Sequence, residues 1–482
     1  MKNLFAISVL MLSGLITQGQ NQYWAQQYGS SSALLGGAVV AGATDNSAVY
    51  YNPALLAGIE NGHLSVSANA YGFEFAKLKN GAGTGLDLTS FQTLIYPQMI
   101  SGMINLKKAP KFKLSYGILT RFNNRMKLNL LTEQEVEITS LGAGPEYYKT
   151  NFVYELSNLE QWGALSFGYK INEKFSVGIS QFISYLNNDS RLSIDRSVDV
   201  SADSASFTAQ QLSENNSIIN HVGLLYKVGF SFQSNGHKLG VTATSPNIKL
   251  WGRANASAAQ IEYNMDRLGT ADPNPFFSLS SLLVESQNRK LDVNYKLPWS
   301  FALGYEYEFP KGTRVMFASE VFLAVKRYTV FVDPDFVTIR PQQIYQDAQV
   351  DSFLFKSNEL RLVVNAAIGI EQPINDKFSY LFSFRTDFNS VDFDSQQNVN
   401  ASINTTFWNS YHFATGITWK RTNSKMALGF NYTLGESAVQ QQPVSFSAPI
   451  SAQTLVGTTE KNFEPVVHGL SVIVGYTYYL PK

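Results

Sequence analysis

The sequence predicts an all-β protein: a 14-stranded antiparallel transmembrane β-barrel with an N-terminal, small-residue helical hatch plugging the lumen. Three observations support this prediction. Only 15% of the 482 residues are charged, whereas soluble globular domains typically carry about 25%. Long segments alternate between apolar and small or polar residues with a period of two, as β-strands do. Short polar turns and longer polar stretches follow one another along the chain, as periplasmic turns and outer loops do in outer-membrane barrels.

The first 19 residues form a predicted secretory signal peptide. One positive charge precedes an apolar run from Leu4 to Ile16, and the small residues Thr17 and Gly19 come just before a cleavage site ahead of Gln20. A transmembrane anchor is the alternative, but a spanning helix needs ~17–25 apolar residues and this run is shorter. We therefore expect a cleaved leader, export, and a multi-pass location in the cell outer membrane.

Residues 20–61 are predicted to form the hatch, because they show no strand-like alternation. Ala and Gly dominate this segment, which lets short helical turns pack closely, and Asn52-Pro53 ends any helix that precedes it. A periplasmic tail is the alternative interpretation. The predicted domains are thus the signal peptide over 1–19, the hatch over 20–61 and the barrel over 62–482.

The barrel domain contains fourteen predicted strands. In the clearest example, Phe301, Leu303 and Tyr305 alternate with small or polar residues. A soluble sandwich also alternates, but its strands usually have ~5–6 residues, whereas a strand that crosses a bilayer needs ~9–11. The predicted strands are 62–75, 95–106, 112–123, 151–171, 175–187, 216–233, 237–251, 290–309, 313–331, 353–372, 377–394, 403–420, 425–438 and 466–480. The sheet must close, because an edge facing lipid would leave backbone groups unpaired.

Several side chains are candidates for a ligand path. The predicted outer loop 252–289 carries an unusual apolar cluster that includes Phe276, Phe277, Leu282 and Leu283, which either captures a ligand or packs within the loop. Other predicted long polar stretches lie near 76–94, 124–150, 188–215, 332–352, 395–402 and 439–464.

Two further candidates lie on predicted strands. Arg385 falls on the predicted lumen face, where it either binds a ligand carboxylate or pairs with Asp387. Gly117 interrupts its strand and marks either an opening in the barrel wall or an ordinary strand glycine.

Three segments resemble a known family. Gly36-Gly37 is followed by residues 43–54, ATDNSAVYYNPA; residues 244–254 are TSPNIKLWGRA, and residues 297–305 are LPWSFALGY. In this order, and over the chain from about residue 28 to its end, they resemble the FadL/TodX family of outer-membrane transporters for hydrophobic compounds. The strongest marker is the triplet Asn52-Pro53-Ala54 after an acidic D-x-S-A stretch.

The resemblance implies a plugged 14-stranded barrel in which Asn52, Pro53 and Ala54 belong to the hatch. It implies capture of fatty acids or aromatic hydrocarbons at the outer loops, a pocket beside the hatch, and sideways release into outer-membrane lipid. It implies no cofactor and no energy source, and a barrel able to work as a monomer. The chain departs from the family by its extended segment 20–28, and the family's basic ligand-binding residues do not align with particular positions here.

Composition excludes several other functions. The 37 basic and 37 acidic residues cancel, so no positive field attracts nucleic acid. The chain has no cysteine, its five histidines show no metal-ligand spacing, and no catalytic or phosphate-binding motif is present. We therefore expect neither an enzyme nor a metal site. A structural or secretion-associated barrel that binds protein partners, a general porin and an outer-membrane lipase are the alternatives.

Overall fold

The computed structural model describes residues 22–59, 62–105, 108–138, 146–201, 206–265, 281–333, 337–340, 354–391, 408–447, 449 and 455–480, and the predicted leader lies outside them. Two short helical turns come first, α1 (Ala48–Tyr51) and a 3₁₀ helix (Pro53–Gly58). In the described residues the strands are β1 (His63–Lys79), β2 (Leu88–Asn105), β3 (Phe112–Val136), β4 (Glu146–Lys170), β5 (Phe175–Val200), β6 (Phe207–Ser234), β7 (His237–Thr244), β8 (Ile248–Tyr263), β9 (Ser281–Asp292), β10 (Ser300–Glu308), β11 (Arg314–Phe322), β12 (Val325–Asp333), β13 (Thr338–Arg340), β14 (Leu354–Leu360), β15 (Val363–Pro373), β16 (Phe378–Asp387), β17 (Asn409–Lys420), β18 (Ser424–Glu436) and β19 (Glu464–Tyr479). No helix in this part of the chain is long and apolar enough to cross a membrane.

Fourteen of these strands close into an antiparallel barrel, which confirms the predicted fold. Each is hydrogen-bonded to the next in the order β1–β7, β10, β11 and β15–β19. The last strand returns to the first, pairing Tyr479 with His63 and Glu464 with Lys79 at the two ends of the seam. Closure leaves no strand edge along this seam facing lipid.

The lower part of the barrel, near the short turns, has an apolar exterior. On β10 the side chains of Phe301, Leu303 and Tyr305 are exposed, whereas those of Ala302 and Glu306 are buried. Aromatic side chains gather at the turn end of the wall, at Phe112, Tyr169, Phe175, Phe232, Phe378 and Trp419. An apolar belt with an aromatic girdle is the exterior of an outer-membrane barrel, as the alternation predicts.

Four strands rise far above this belt. β3, β4, β5 and β6 have 25, 25, 26 and 28 residues, although ~9–11 suffice to cross a bilayer. The predicted loops 124–150 and 188–215 are therefore largely strand, and the predicted loop 252–289 contains the hairpin strands β8 and β9. With residues 437–447 and 455–463 these tall strands enclose a second hydrophobic core, here called the upper core, around Tyr148, Phe152 and Phe446.

Several predicted strands are interrupted at one level of the wall. Strand 237–251 breaks between β7 and β8, strand 290–309 between β9 and β10, and strand 313–331 between β11 and β12. Pro246 and Pro298 lie in the first two breaks, and neither has an N–H to donate to a ladder. Above this level β12 pairs with β14 in a separate two-stranded sheet.

Candidate functional site

The hatch, residues 22–59, fills the lower lumen. Nine wall glycines face it closely, and a Cβ on any of them would come within 3.0 Å of a hatch atom. We call this set the glycine ring: Gly168, Gly178, Gly229, Gly240, Gly304, Gly369, Gly416, Gly429 and Gly475. Because these positions have no side chain, backbone and side-chain atoms of the hatch pack directly against the backbone of nine strands.

Asn52 joins two parts of the hatch to the wall. Its Nδ2 donates to the backbone oxygens of Val40, at 2.9 Å, and Phe230, at 3.0 Å. Its Oδ1 accepts from the backbone N of Ala54, at 3.1 Å. Pro53 opens the 3₁₀ helix, where its missing N–H costs nothing, and both Asn52 and Ala54 are fully buried. The Asn52-Pro53-Ala54 triplet is thus an attachment point between hatch and barrel.

Arg385 and Asp387 hold the beginning of the hatch. Both side chains are buried on the lumen side of β16. Arg385 donates from Nε to the carbonyl of Trp24 and from Nη2 to that of Ala25, each at 3.2 Å. The backbone N of Trp24 donates to Asp387 Oδ1 at 2.9 Å. These bonds tie both residues to the hatch backbone.

A polar cavity of about 100 Å³ lies between the first hatch residues and the wall, and Arg385 lines it. Its other lining residues include amide side chains from both the hatch and the wall, at Gln22, Gln26, Gln27, Asn69, Gln98, Asn123, Asn124 and Asn431. Amides offer both donors and acceptors, so this cavity suits a polar group better than a hydrocarbon.

The wall is incomplete beside this cavity. The β2–β3 ladder extends only from Asn105↔Lys113 to Met99↔Leu119, so residues 88–98 of β2 have no ladder partner in β3. We call this opening the β2–β3 gap. A bulge between Thr120 and Phe122 and the imino acid Pro97 lie where the ladder stops.

The described part of the β2–β3 gap is bridged by bonds in which at least one partner is a side chain. The backbone N of Arg125 donates to Gln92 Oε1 at 3.1 Å, and that of Lys127 donates to Ser90 Oγ at 3.3 Å. Thr120 Oγ1 donates to Pro97 O at 2.9 Å, and Gln92 Nε2 donates to Asn124 Oδ1 at 3.3 Å. Gly117 lies just below the gap, in the paired part of β3 opposite Ser101. Each bridging contact is a single hydrogen bond and contributes little by itself, and these separate bonds stand where a continuous strand ladder would otherwise run.

Two buried cations line a second cavity, here called the cation cavity. The Arg121 guanidinium carbon lies 5.3 Å from the Trp162 ring centroid, and Lys227 Nζ lies 4.6 Å from that of Tyr50. Arg121 Nε and Nη1 have no hydrogen-bond partner among the described residues. Neither cation is among the residues predicted from the sequence, although both lie at lumen-facing positions of their strands.

The cation cavity also contains one carboxylate, Glu320, which is already satisfied. Its two oxygens accept from Ser300 Oγ at 2.6 Å and from Trp24 Nε1 at 2.8 Å. The cavity measures about 30 Å³, room for about one water molecule. A larger ligand reaches the two cations only when a lining segment moves.

The structure describes only two of the four predicted capture residues. Phe276 and Phe277 lie outside the described residues. Leu282 is buried in the main hydrophobic core and its neighbour Leu283, on β9, is half-buried. Leu282 is therefore packed inside, and the structure does not bring it together with Arg385 or Gly117.

Comparison with solved structures supports the fold independently. The P. putida toluene transporter TodX superposes with a TM-score of 0.58 at 12% identity, over 95% of this chain and 99% of that one. A Pseudomonas aeruginosa FadL homologue gives 0.52 at 11% identity, over 96% and 99%. The Ralstonia pickettii toluene transporter TbuX gives 0.51 at 11% identity, over 95% and 99%.

These likenesses confirm at the level of fold the resemblance seen in the sequence. No protein-family model matches the chain, and no curated protein matches it. At identities near 12% the superpositions establish architecture, and function has to be argued from the site.

Proposed function

We propose that this chain, which has the fold of the FadL and TodX structures, is a passive outer-membrane channel for hydrophobic and amphipathic compounds. Ligands are captured on the outer side, pass beside the hatch and leave sideways into the membrane. The observation that carries this proposal is the β2–β3 gap, an interrupted wall directly beside the polar cavity at the hatch. No energy source is needed, because a passive channel only lets its ligand equilibrate between the environments that it connects.

The buried cations support an amphipathic ligand with an anionic head. Arg121 has donors without partners in the described structure, and a buried charge is stabilised by a counter-charge or hydrogen bonds. Lys227 contributes a second cation above Tyr50. A ligand with an anionic head and an apolar tail, such as a long-chain carboxylate, would supply the missing acceptor and place its tail against the surrounding aromatic rings.

Binding is tested by titrating the purified barrel with a fluorescent long-chain carboxylate and by mass spectrometry of co-purifying lipids. We expect saturable binding that weakens about tenfold or more in Arg121→Gln with Lys227→Gln, since each charge-assisted bond contributes about 1.5–3 kcal/mol. The matched control is Arg327→Gln, because Arg327 is exposed on β12. An empty barrel without saturable binding would overturn the proposal.

Capture and release are tested separately. Phe276→Ser with Phe277→Ser should slow capture and leave equilibrium affinity unchanged. Cross-linking Gln92→Cys to Asn124→Cys, whose native side chains are in contact, should trap bound ligand, and because the native chain has no cysteine the linkage is specific. Ligand release at the wild-type rate from the cross-linked protein would exclude the β2–β3 gap as the exit.

The tall strands favour a second candidate function, a structural or secretion-associated barrel that binds protein partners. β3–β6 carry their ladders well beyond the length of a membrane span and present a polar outer face, including Asp189, Arg191 and Asp195. Such a wall offers a surface to another protein. Co-purification of a stoichiometric partner that is lost when the tops of these strands are shortened, together with absent carboxylate binding, would favour this function.

A further inference from the structure

Packed residues lie at both ends of the lumen in the described structure. The hatch fills the lower end against the glycine ring. At the upper end Phe446 is fully buried in the upper core, its backbone N donates to Ala82 O at 2.7 Å, and Tyr148 Oη donates to Leu455 O at 2.8 Å. A ligand therefore reaches the cation cavity by the side more readily than through either end.

The aligned strand breaks form a cleft on the outside of the wall, here called the notch. Three consecutive wall strands are interrupted at the same level, by residues 245–247, 293–299 and 323–324. The notch has a volume of about 460 Å³. Its apolar lining includes Trp299 and Leu323, which are 46% and 37% exposed.

A thin partition separates the notch from the cation cavity. Leu297 and Pro298 line the notch on the outside and the cation cavity on the inside. They belong to segment 293–299, which has no strand ladder. Movement of these two residues would join the outer cleft to the lumen.

Asn247 holds the partition in place. Its Nδ2 donates to Tyr295 O at 2.8 Å, and its Oδ1 accepts from the backbone N of Leu297 at 2.6 Å. The Tyr328 hydroxyl accepts from the backbone N of Lys296 at 3.2 Å. Two backbone bonds also hold the ends of segment 293–299, from Asn294 N to Val330 O and from Leu323 N to Trp299 O, each at 2.9 Å. Because these few bonds replace a ladder, displacing the partition breaks fewer hydrogen bonds than separating a paired strand.

The chemistry of the notch selects an anion. Its lining includes Lys249, Lys296 and Lys326 and no Asp or Glu. Lys249 pairs with Asp292 at 2.5 Å, and Lys296 lies 5.0 Å from the Tyr328 ring centroid. The lining of this membrane-facing cleft is therefore positively charged above an apolar floor.

The notch lies at the outer edge of the lipid-facing belt. β10 and β11 have nine residues each below it, close to the ~9–11 that cross a bilayer. Exposed Trp251 and Trp299 flank it, and tryptophan is enriched where the bilayer meets water. An amphiphile in the outer leaflet would meet the lysines with its head and the apolar floor with its chain.

We infer that the notch is a side door through which an anionic amphiphile passes from the outer leaflet to the cation cavity, with Asn247 as its latch. This inference rests on the proposed function and names its access route, on a different part of the wall from the β2–β3 gap. The anionic head moves from the three outer lysines to Arg121 and Lys227 when Leu297 and Pro298 swing aside.

The latch is tested by measuring how fast a fluorescent long-chain carboxylate, partitioned in the lipid of nanodiscs, binds the reconstituted barrel. Asn247→Ala should accelerate binding. Asn247→Cys bridged to Leu297→Cys by a short thiol cross-linker should slow it about tenfold or more, and a cleavable linker restores the rate. The control bridges the lipid-facing register partners Tyr380→Cys and Ile417→Cys.

The role of the three notch lysines is tested by removing their charges. Lys249→Gln, Lys296→Gln and Lys326→Gln together should slow binding of the carboxylate about tenfold or more and leave the uncharged methyl ester unaffected. If wild type binds the carboxylate and neither the bridge nor the lysine substitutions change the binding rate, the side door is overturned and the proposed function still stands. No saturable binding by wild type would overturn both.

Discussion

Replacing Asn52 by alanine should release the hatch without unfolding the barrel. The substitution removes three hydrogen bonds, two to Val40 and Phe230 and one within the triplet to Ala54. Only the bond to Phe230 joins the hatch to the wall, because Val40 and Ala54 both belong to the hatch, so the hatch loses about 1 kcal/mol of attachment. Since 1.4 kcal/mol is a factor of ten, the open population should rise about fivefold.

Planar-bilayer conductance measures this change directly. We expect Asn52→Ala to show brief opening events about fivefold more often than wild type, and deletion of residues 20–61 to stay open. Asn375→Ala is the matched control, because Asn375 makes two comparable bonds at a turn away from the hatch. An opening frequency within about threefold of wild type, in a variant that keeps its heat-modifiable gel mobility, would refute the attachment role of Asn52.

Two further substitutions test other contacts. Gly178→Ala should destabilise hatch docking by about 1–3 kcal/mol, measured by thermal unfolding, because its Cβ would lie 2.3 Å from Pro53; Gly163→Ala, on the open side of β4, should be neutral. Hydrogen bonds from Lys149 and Thr208 lower the pKa of Asp199 below its ordinary 3.8. This exposed pair should therefore make only a small contribution to stability, which is present above pH 3.8 and is lost as the pH falls through the folded pKa. The hydrogen-exchange difference between wild type and Asp199→Asn at pH 6 should shrink as the pH is lowered below 3.8.

Alternation in the sequence located all fourteen wall strands but not their full height. Inside the membrane β5 points apolar Ile183 outward and small Ser184 inward. Above the membrane it points Arg191 outward and Leu192 inward. The side chains alternate in the same way at both levels, but the outward positions change from apolar to polar and the inward positions from polar to apolar. The reason is that water replaces lipid outside the strand and a packed core replaces the plugged lumen inside it. A prediction that expects apolar side chains to face outward along the whole strand therefore ends the strand too early.

Part of the site could have been predicted from the same alternation in the sequence. Arg121 shares its side of β3 with inward Leu119, and Lys227 precedes outward Val228, so a charge at a lumen-facing position was the available signal. The β2–β3 gap was less accessible, because which strands remain paired depends on register between distant segments. Only Pro97 signalled it locally.

The glycine ring also imposes an order on assembly. Its members come from β4 through to the last strand, where Gly475 meets the backbone of Ser30. The complete seat for the hatch thus comes into being only when the final strand joins the first. The hatch, which is synthesised before the strands, can therefore dock against all nine glycines only after the last strand has paired with the first.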